Sequence, residues 1–182
     1  MTPRRRLFVR LLLSAFADFV PLMLTMCVLA FVDDGITWSA LGRVAGIPVV
    51  WALFSLPWAA WRTGVLVRAA RGLGIEVSEN ALDHTQTYVL TGIPLALVRA
   101  ELGSARRAFE VGEGNPVDFR WRPLRGRASA DGSVAFDASS GEARVEVRAG
   151  KGLKSGALLF QGAVFVALCQ IVRALRSVEK AG

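Results

Sequence analysis

The stretch Leu11–Val32, LLLSAFADFVPLMLTMCVLAFV, runs 22 residues with one charge, Asp18. Roughly 20 consecutive apolar residues cross a bilayer core of about 30 Å, so this run is long enough to span. A second run, Val44–Trp61, has 18 residues and no charge, and continues through Arg62 to Val67. Between them lies the polar connection Asp33-Asp34-Gly-Ile-Thr-Trp-Ser-Ala-Leu-Gly-Arg43. Residues 1–71 therefore read as a transmembrane helical hairpin with spans at about 11–32 and 44–67. Gly42-x-x-x-Gly46 matches a small-residue packing motif but includes Arg43, and is read as the joint between loop and second helix.

The positive charge gives the hairpin a direction. Residues 1–71 hold eight Arg against Asp18, Asp33 and Asp34, a surplus of +5, whereas residues 72–182 hold fourteen Lys and Arg against twelve Asp and Glu, a surplus of +2. Arg4, Arg5, Arg6 and Arg10 precede the first span, and Arg62, Arg68 and Arg71 cluster at the end of the second. The positive-inside rule then predicts a multi-pass protein of the cell membrane with both termini in the cytoplasm. Trp38 suits the outer interface, and Trp58 and Trp61 the inner one. A cleaved signal peptide is disfavoured by the length of the run, by Asp18 and Pro21 within it, and by the lack of a small-residue cleavage site. Leu24-Thr25-Met26-Cys27 departs from a lipoprotein acylation site at Met26, and Cys27 reads as a small hydrophobe.

A carboxylate in hydrocarbon must be paired, protonated or turned towards protein. Asp18 lies seven residues beyond Leu11, about 10 Å deep at 1.5 Å per residue. With an eleven-residue loop, Asp18 stands near the level of Trp58, about one turn from Arg62. The expectation is an Asp18–Arg62 pair that fixes the register. A proton or ion pathway is the competing reading, with Ser14, Thr25 and Ser55 as the other polar groups.

After Arg71 the pattern turns to period two, the mark of half-buried antiparallel strands. Ile75 and Val77, Thr85–Leu90, Phe109 and Val111, Val117–Trp121, and the pair Ser133–Asp137 with Ala143–Arg148 predict about six strands. Residues 94–102 fit a short helix, with Pro94 at its start and Gly103 after it, or a buried strand. Residues 155–177 predict an amphipathic helix laid on the sheet, with Phe160, Val164, Leu168, Ile171 and Leu175 on one face and Gly162, Val166, Cys169, Gln170 and Arg173 on the other. A third span is its rival. The fold class is thus a two-helix membrane hairpin plus an α+β domain at 72–182, mainly an antiparallel sheet or small barrel with a C-terminal helix.

This order of elements resembles the bacterial membrane-anchored pleckstrin-homology-like proteins. The resemblance implies a small β-barrel or sandwich capped by the C-terminal helix, and an interaction or scaffolding role with no catalytic residues.

Composition narrows the chemistry. With 53% hydrophobic residues the chain is not disordered. Two cysteines and one histidine leave no disulfide framework, zinc ligand set or His-based triad in view. No catalytic residue, cofactor or metal site is expected. His84 beside Asp83 on a strand faces away from it, and Gly72-Leu-Gly74 precedes a strand where a phosphate loop follows one. Arg120, Arg122, Arg125 and Arg127 form the densest basic stretch of the domain. They read either as contacts to anionic headgroups or a partner, or as a solvated strand face neutralised by acids such as Asp118 and Glu110. Nucleic acid is disfavoured because the neighbouring aromatics alternate inward.

Three functions follow as expectations. The first is a non-catalytic interaction module at the bilayer, binding a membrane or cytoplasmic protein, with homo-oligomers allowed. The second is an accessory subunit of a membrane complex or transporter, contacted through the hairpin. The third is a membrane-bound enzyme of unknown reaction, with a pocket around His84, Asp83 or Glu110.

Overall fold

A computed structural model describes residues 2–35, 37–105, 107–123, 129–150, 153 and 161–179. The chain divides into two units, Met1–Val65 and Leu66–Gly182.

The first unit is built from α1, Pro3–Asp34, and most of α2, Trp38–Ala70. Both helices are long and apolar enough to cross a membrane, with mean hydropathy 2.1 over Pro3–Asp33 and 1.5 over Val44–Ala70. Only 6% of the apolar window of α1 and 11% of that of α2 is buried, unlike a core helix. Among the described residues, every large exposed apolar side chain except Val89 lies on these two helices.

The helices pack along a stripe of residues four apart. On α1 it runs through Leu11, Ala15 and Phe19, and on α2 through Trp51, Ser55 and Ala59. Ala15, Ser55 and Ala59 are buried, and the rings of Phe19 and Trp51 meet with centroids 3.5 Å apart. Small residues there allow close backbone approach. The hydroxyls are satisfied within their own helices: Thr25 donates to the Pro21 carbonyl at 2.9 Å, Ser55 to Trp51 at 2.9 Å and Thr63 to Ala59 at 2.8 Å. Hydroxyls bonded in this way need no outside partner in an apolar medium.

The connection is shorter than expected. Thr37 accepts a bond from the Leu41 amide at 3.0 Å, and α2 is already helical from Trp38. Gly42 and Gly46 accordingly lie inside the helix and do not form a joint.

The second unit opens with the last turn of α2. Gly72 and Gly74, at φ +78° and +69°, stop the helix in the left-handed region. Residues 75–78 bury Val77 but join no sheet, so the strand expected there is absent. A 3-10 turn, Glu79–Leu82, leads into β1, Thr85–Thr91. Then come α3, Leu95–Ser104, and strands β2, Ala108–Phe109, β3, Val117–Trp121, β4, Ala130–Asp137, and β5, Glu142–Ala149. The segment 94–102 is thus mainly helical, and α3 carries the chain from β1 to β2. The five strands form one antiparallel sheet in the order β1-β5-β4-β3-β2.

Alternation sorts the two faces. Val117, Phe119 and Trp121, Ala130 and Val134, and Ala143, Val145 and Val147 are buried on one face. Helix α4, Ala163–Glu179, lies against β1 and β5 on that side, with α3 and the 3-10 turn against it. It begins at Ala163, and the expected start near 155 falls at 154–160, outside the described residues. The expected division of the wheel is corrected at Val166 and Cys169. Val166, Cys169 and Val172 are as buried as Val164, Leu168 and Ile171, because sheet and helical neighbours cover the helix from several sides. The helix stays amphipathic as expected, with its polar stripe narrowed to Gln170, Arg173 and Arg176.

Candidate functional site

The uncovered face of the sheet carries Arg120, the first of the residues singled out as a contact surface. Register aligns Thr85, Arg148, Asp131 and Arg120 in one row across four strands, and Thr87, Glu146, Ser133 and Asp118 in the next. Residues directly opposite on one face interact, so charge alternation along a row is self-neutralising. Arg120 reaches Glu110 at 2.8 Å and Asp131 at 3.6 Å, and Arg148 bonds Glu146 at 2.5 Å. The bond to Glu146 holds the Arg148 guanidinium above its ordinary pKa. These exposed pairs are worth little to stability, but they use the charge of both arginines. Across β3, β4 and β5 the face sets Arg120, Arg144 and Arg148 against Asp118, Asp131, Asp137, Glu142 and Glu146. It has no cationic surplus.

Arg122, just past β3, lies over the Phe109 ring, its guanidinium carbon 4.5 Å from the centroid. That geometry is a cation–π contact. Arg125 and Arg127 lie outside the described residues. Neutralisation of Arg120 thus comes from Glu110, as expected, and from Asp131 across the ladder, with Asp118 one row away.

Two open grooves cross this face. One of about 590 Å³ is lined by His84, Thr85, Asp131, Arg148 and Ala149. The other, of about 300 Å³, is lined by Asp118, Asp131, Gly132, Ser133, Glu146 and Arg148. His84 enters this surface, whereas Asp83 and Glu110 do not line either groove. Among the described residues no group of three His, Cys, Asp or Glu side chains is placed to hold a metal ion. At the β4–β5 turn, Asp137 accepts bonds from the Ser139 hydroxyl at 2.6 Å and its amide at 2.9 Å, which hold its carboxyl below the usual range.

In the first unit, Asp18 is exposed on α1 while Arg62 is 3% exposed on α2. Contact between Phe19 and Trp51 sets the register. Asp18 and Arg62 thus stand in different surroundings.

Gln170 and Arg173, set on the second face of the last helix by the sequence, and Arg176, which the sequence did not single out, link α4 to its neighbours in the second unit. Gln170 accepts from Trp121 Nε1 at 2.9 Å and from Arg107 at 3.1 Å. Arg173 donates to the carbonyls of Ala69 at 2.8 Å and Arg71 at 3.3 Å. Arg176 donates to the Leu73 carbonyl at 2.9 Å and the Tyr88 hydroxyl at 2.7 Å. Arginines three apart share a helix face, and these two meet the unpaired carbonyls where α2 ends. That spacing was the available signal. Comparison with family models, curated proteins and solved structures finds no match to this chain.

Proposed function

We propose that the chain is an integral membrane protein whose hairpin crosses the bilayer twice, with both termini in the cytoplasm, and whose 72–182 region is a non-catalytic interaction module at the membrane surface. The observation that carries this reading is that, among the described residues, every large exposed apolar side chain except Val89 lies on α1 and α2. Apolar area of that extent is not left in water; lipid or protein must cover it. Direction comes from the arginines flanking the spans. The pleckstrin-homology-like resemblance is supported at the level of an antiparallel sheet packed on a C-terminal helix. Among the described residues the open sheet face has no cationic surplus, which favours a protein ligand over a headgroup there.

The test is alkaline carbonate extraction of membranes carrying the tagged chain, followed by protease added outside intact spheroplasts. The chain should stay in the membrane pellet and its C-terminal region should resist digestion. Release by carbonate, or cleavage of the C-terminal region from outside, overturns the reading.

A second reading, an accessory subunit contacted through its hairpin, is favoured by Asp18. An exposed carboxylate within an apolar helix is costly in lipid unless a neighbour supplies a donor, and a partner helix would do so. Asp18→Asn should then weaken co-purification of that partner while leaving membrane insertion intact.

A further inference from the structure

We propose that Arg4, Arg5 and Arg6 form a collar that binds the headgroups of anionic phospholipids around the first span. The proposal rests on the membrane-spanning reading above. The three residues open α1 immediately before its apolar run, and all three are exposed. Successive helical residues are about 100° apart, so three in a row fan around the helix at one depth instead of sharing a face. A protein partner contacts one side of a helix; a headgroup layer surrounds it. Depth also fits, because the apolar run with its exposed side chains, Leu13 the first of them, follows within two turns.

Charge separates this collar from the arginines of the sheet. Within the first unit the acids are Asp18, Asp33 and Asp34. Asp18 is twelve residues from Arg6, about 18 Å along the helix, and the other two lie at its far end. Arg120 and Arg148, by contrast, have carboxylates at 2.8 Å and 2.5 Å. The collar thus lacks a counter-charge within the hairpin. Guanidinium groups pair phosphate oxygens in a planar, two-pronged geometry, which a lipid phosphodiester offers. Arg10, exposed one turn further in, extends the same positive zone.

Lipid retention by the purified full chain tests this. The protein in mild detergent is incubated with equal amounts of phosphatidylcholine and phosphatidylglycerol, and bound lipid is counted by native mass spectrometry. The wild-type chain should favour phosphatidylglycerol, by about fivefold for each cation engaged. The R4Q/R5Q/R6Q variant should lose that preference, R4K/R5K/R6K should keep most of it, and R120Q/R122Q should keep all of it. Inorganic phosphate should not displace the lipid. Equal preference in wild type and R4Q/R5Q/R6Q overturns the collar, as does loss in R120Q/R122Q alone or displacement by phosphate. Carbonate extraction of the same membranes reads the spanning proposal separately. A chain that washes off fails that reading, whereas an inserted chain without lipid preference fails only the collar.

Discussion

Replacing Gly132 with alanine tests how tightly the sheet and its helical cover fit. Gly132 lies on the covered face of β4, opposite Phe119 of β3 and Val147 of β5. A Cβ built there would stand 2.7 Å from Phe119 Cε2, far inside van der Waals contact. The ring has little room to withdraw. Phe119 is 3% exposed and meets Trp121 edge-on, with centroids 6.4 Å apart and planes at 82°. Overpacking of this kind costs about 1–3 kcal/mol. Lower entropy of the unfolded chain returns about 0.4–1 kcal/mol when glycine becomes alanine. The net expectation for Gly132→Ala is a loss of about 1–2 kcal/mol. Phe119→Leu makes room for the methyl group, so the double variant should be less destabilised than the two single losses together, by about 1 kcal/mol or more. Amide hydrogen exchange of the β3 and β4 peptides, read by mass spectrometry on the full chain in detergent, gives each free energy. A Gly132→Ala chain with wild-type protection, or a strictly additive double variant, refutes the argument.

Two further outcomes follow from α4. Gln170→Leu removes the acceptor for Trp121 Nε1 and Arg107, and an orphaned buried donor costs about 1–3 kcal/mol; Gln170→Glu should retain most of the stability, as measured by urea unfolding. Cys169 is fully buried, and burial pushes its thiol from an ordinary 9.0 up to about 12. The folded state therefore holds this proton more tightly than the unfolded one, so its contribution is complete below pH 9 and is lost as pH rises towards 12. Cys169→Ala should flatten the alkaline fall in stability, and an unchanged slope in a pH series of unfolding curves would count against the assignment.

Legibility followed the reach of the forces involved. Val117–Trp121 and Ala143–Arg148 could be read directly, because strands covered on one face alternate whatever lies beyond them. Ile75 and Val77 show why alternation alone is insufficient: Val77 is buried at 8% exposure, yet its backbone joins no ladder. Pairing depends on a partner strand that the local pattern does not name. The start of α2 was missed for a different reason. Polar residues between Trp38 and Arg43 looked like loop, but helical hydrogen bonding does not require apolar side chains. Six residues, Trp38–Arg43, thereby pass from the expected loop into α2. Cover on several sides of α4 was equally out of reach, since a wheel drawn from one helix contains no information about how many neighbours it has.

Arginine, the residue that most shaped the sequence reading, divides in the structure by what neutralises it. On the open sheet face, Arg120 and Arg148 meet carboxylates. Arg122 lies over a ring. Arg173 and Arg176 meet main-chain carbonyls at the end of α2, where the helix dipole places negative charge and where lysine could not offer the same fork of donors. Each of these sites is supplied from within its own unit, so none of them calls for a ligand. Arg4, Arg5 and Arg6 stand in a unit whose acids are remote from them along α1, which is why the proposed headgroup contact is placed there. Net charge alone could not make that distinction. A surplus of +7 is compatible with nucleic acid, an acidic protein or a membrane, and only the pairing of individual guanidinium groups shows which fraction of it remains available to any of them.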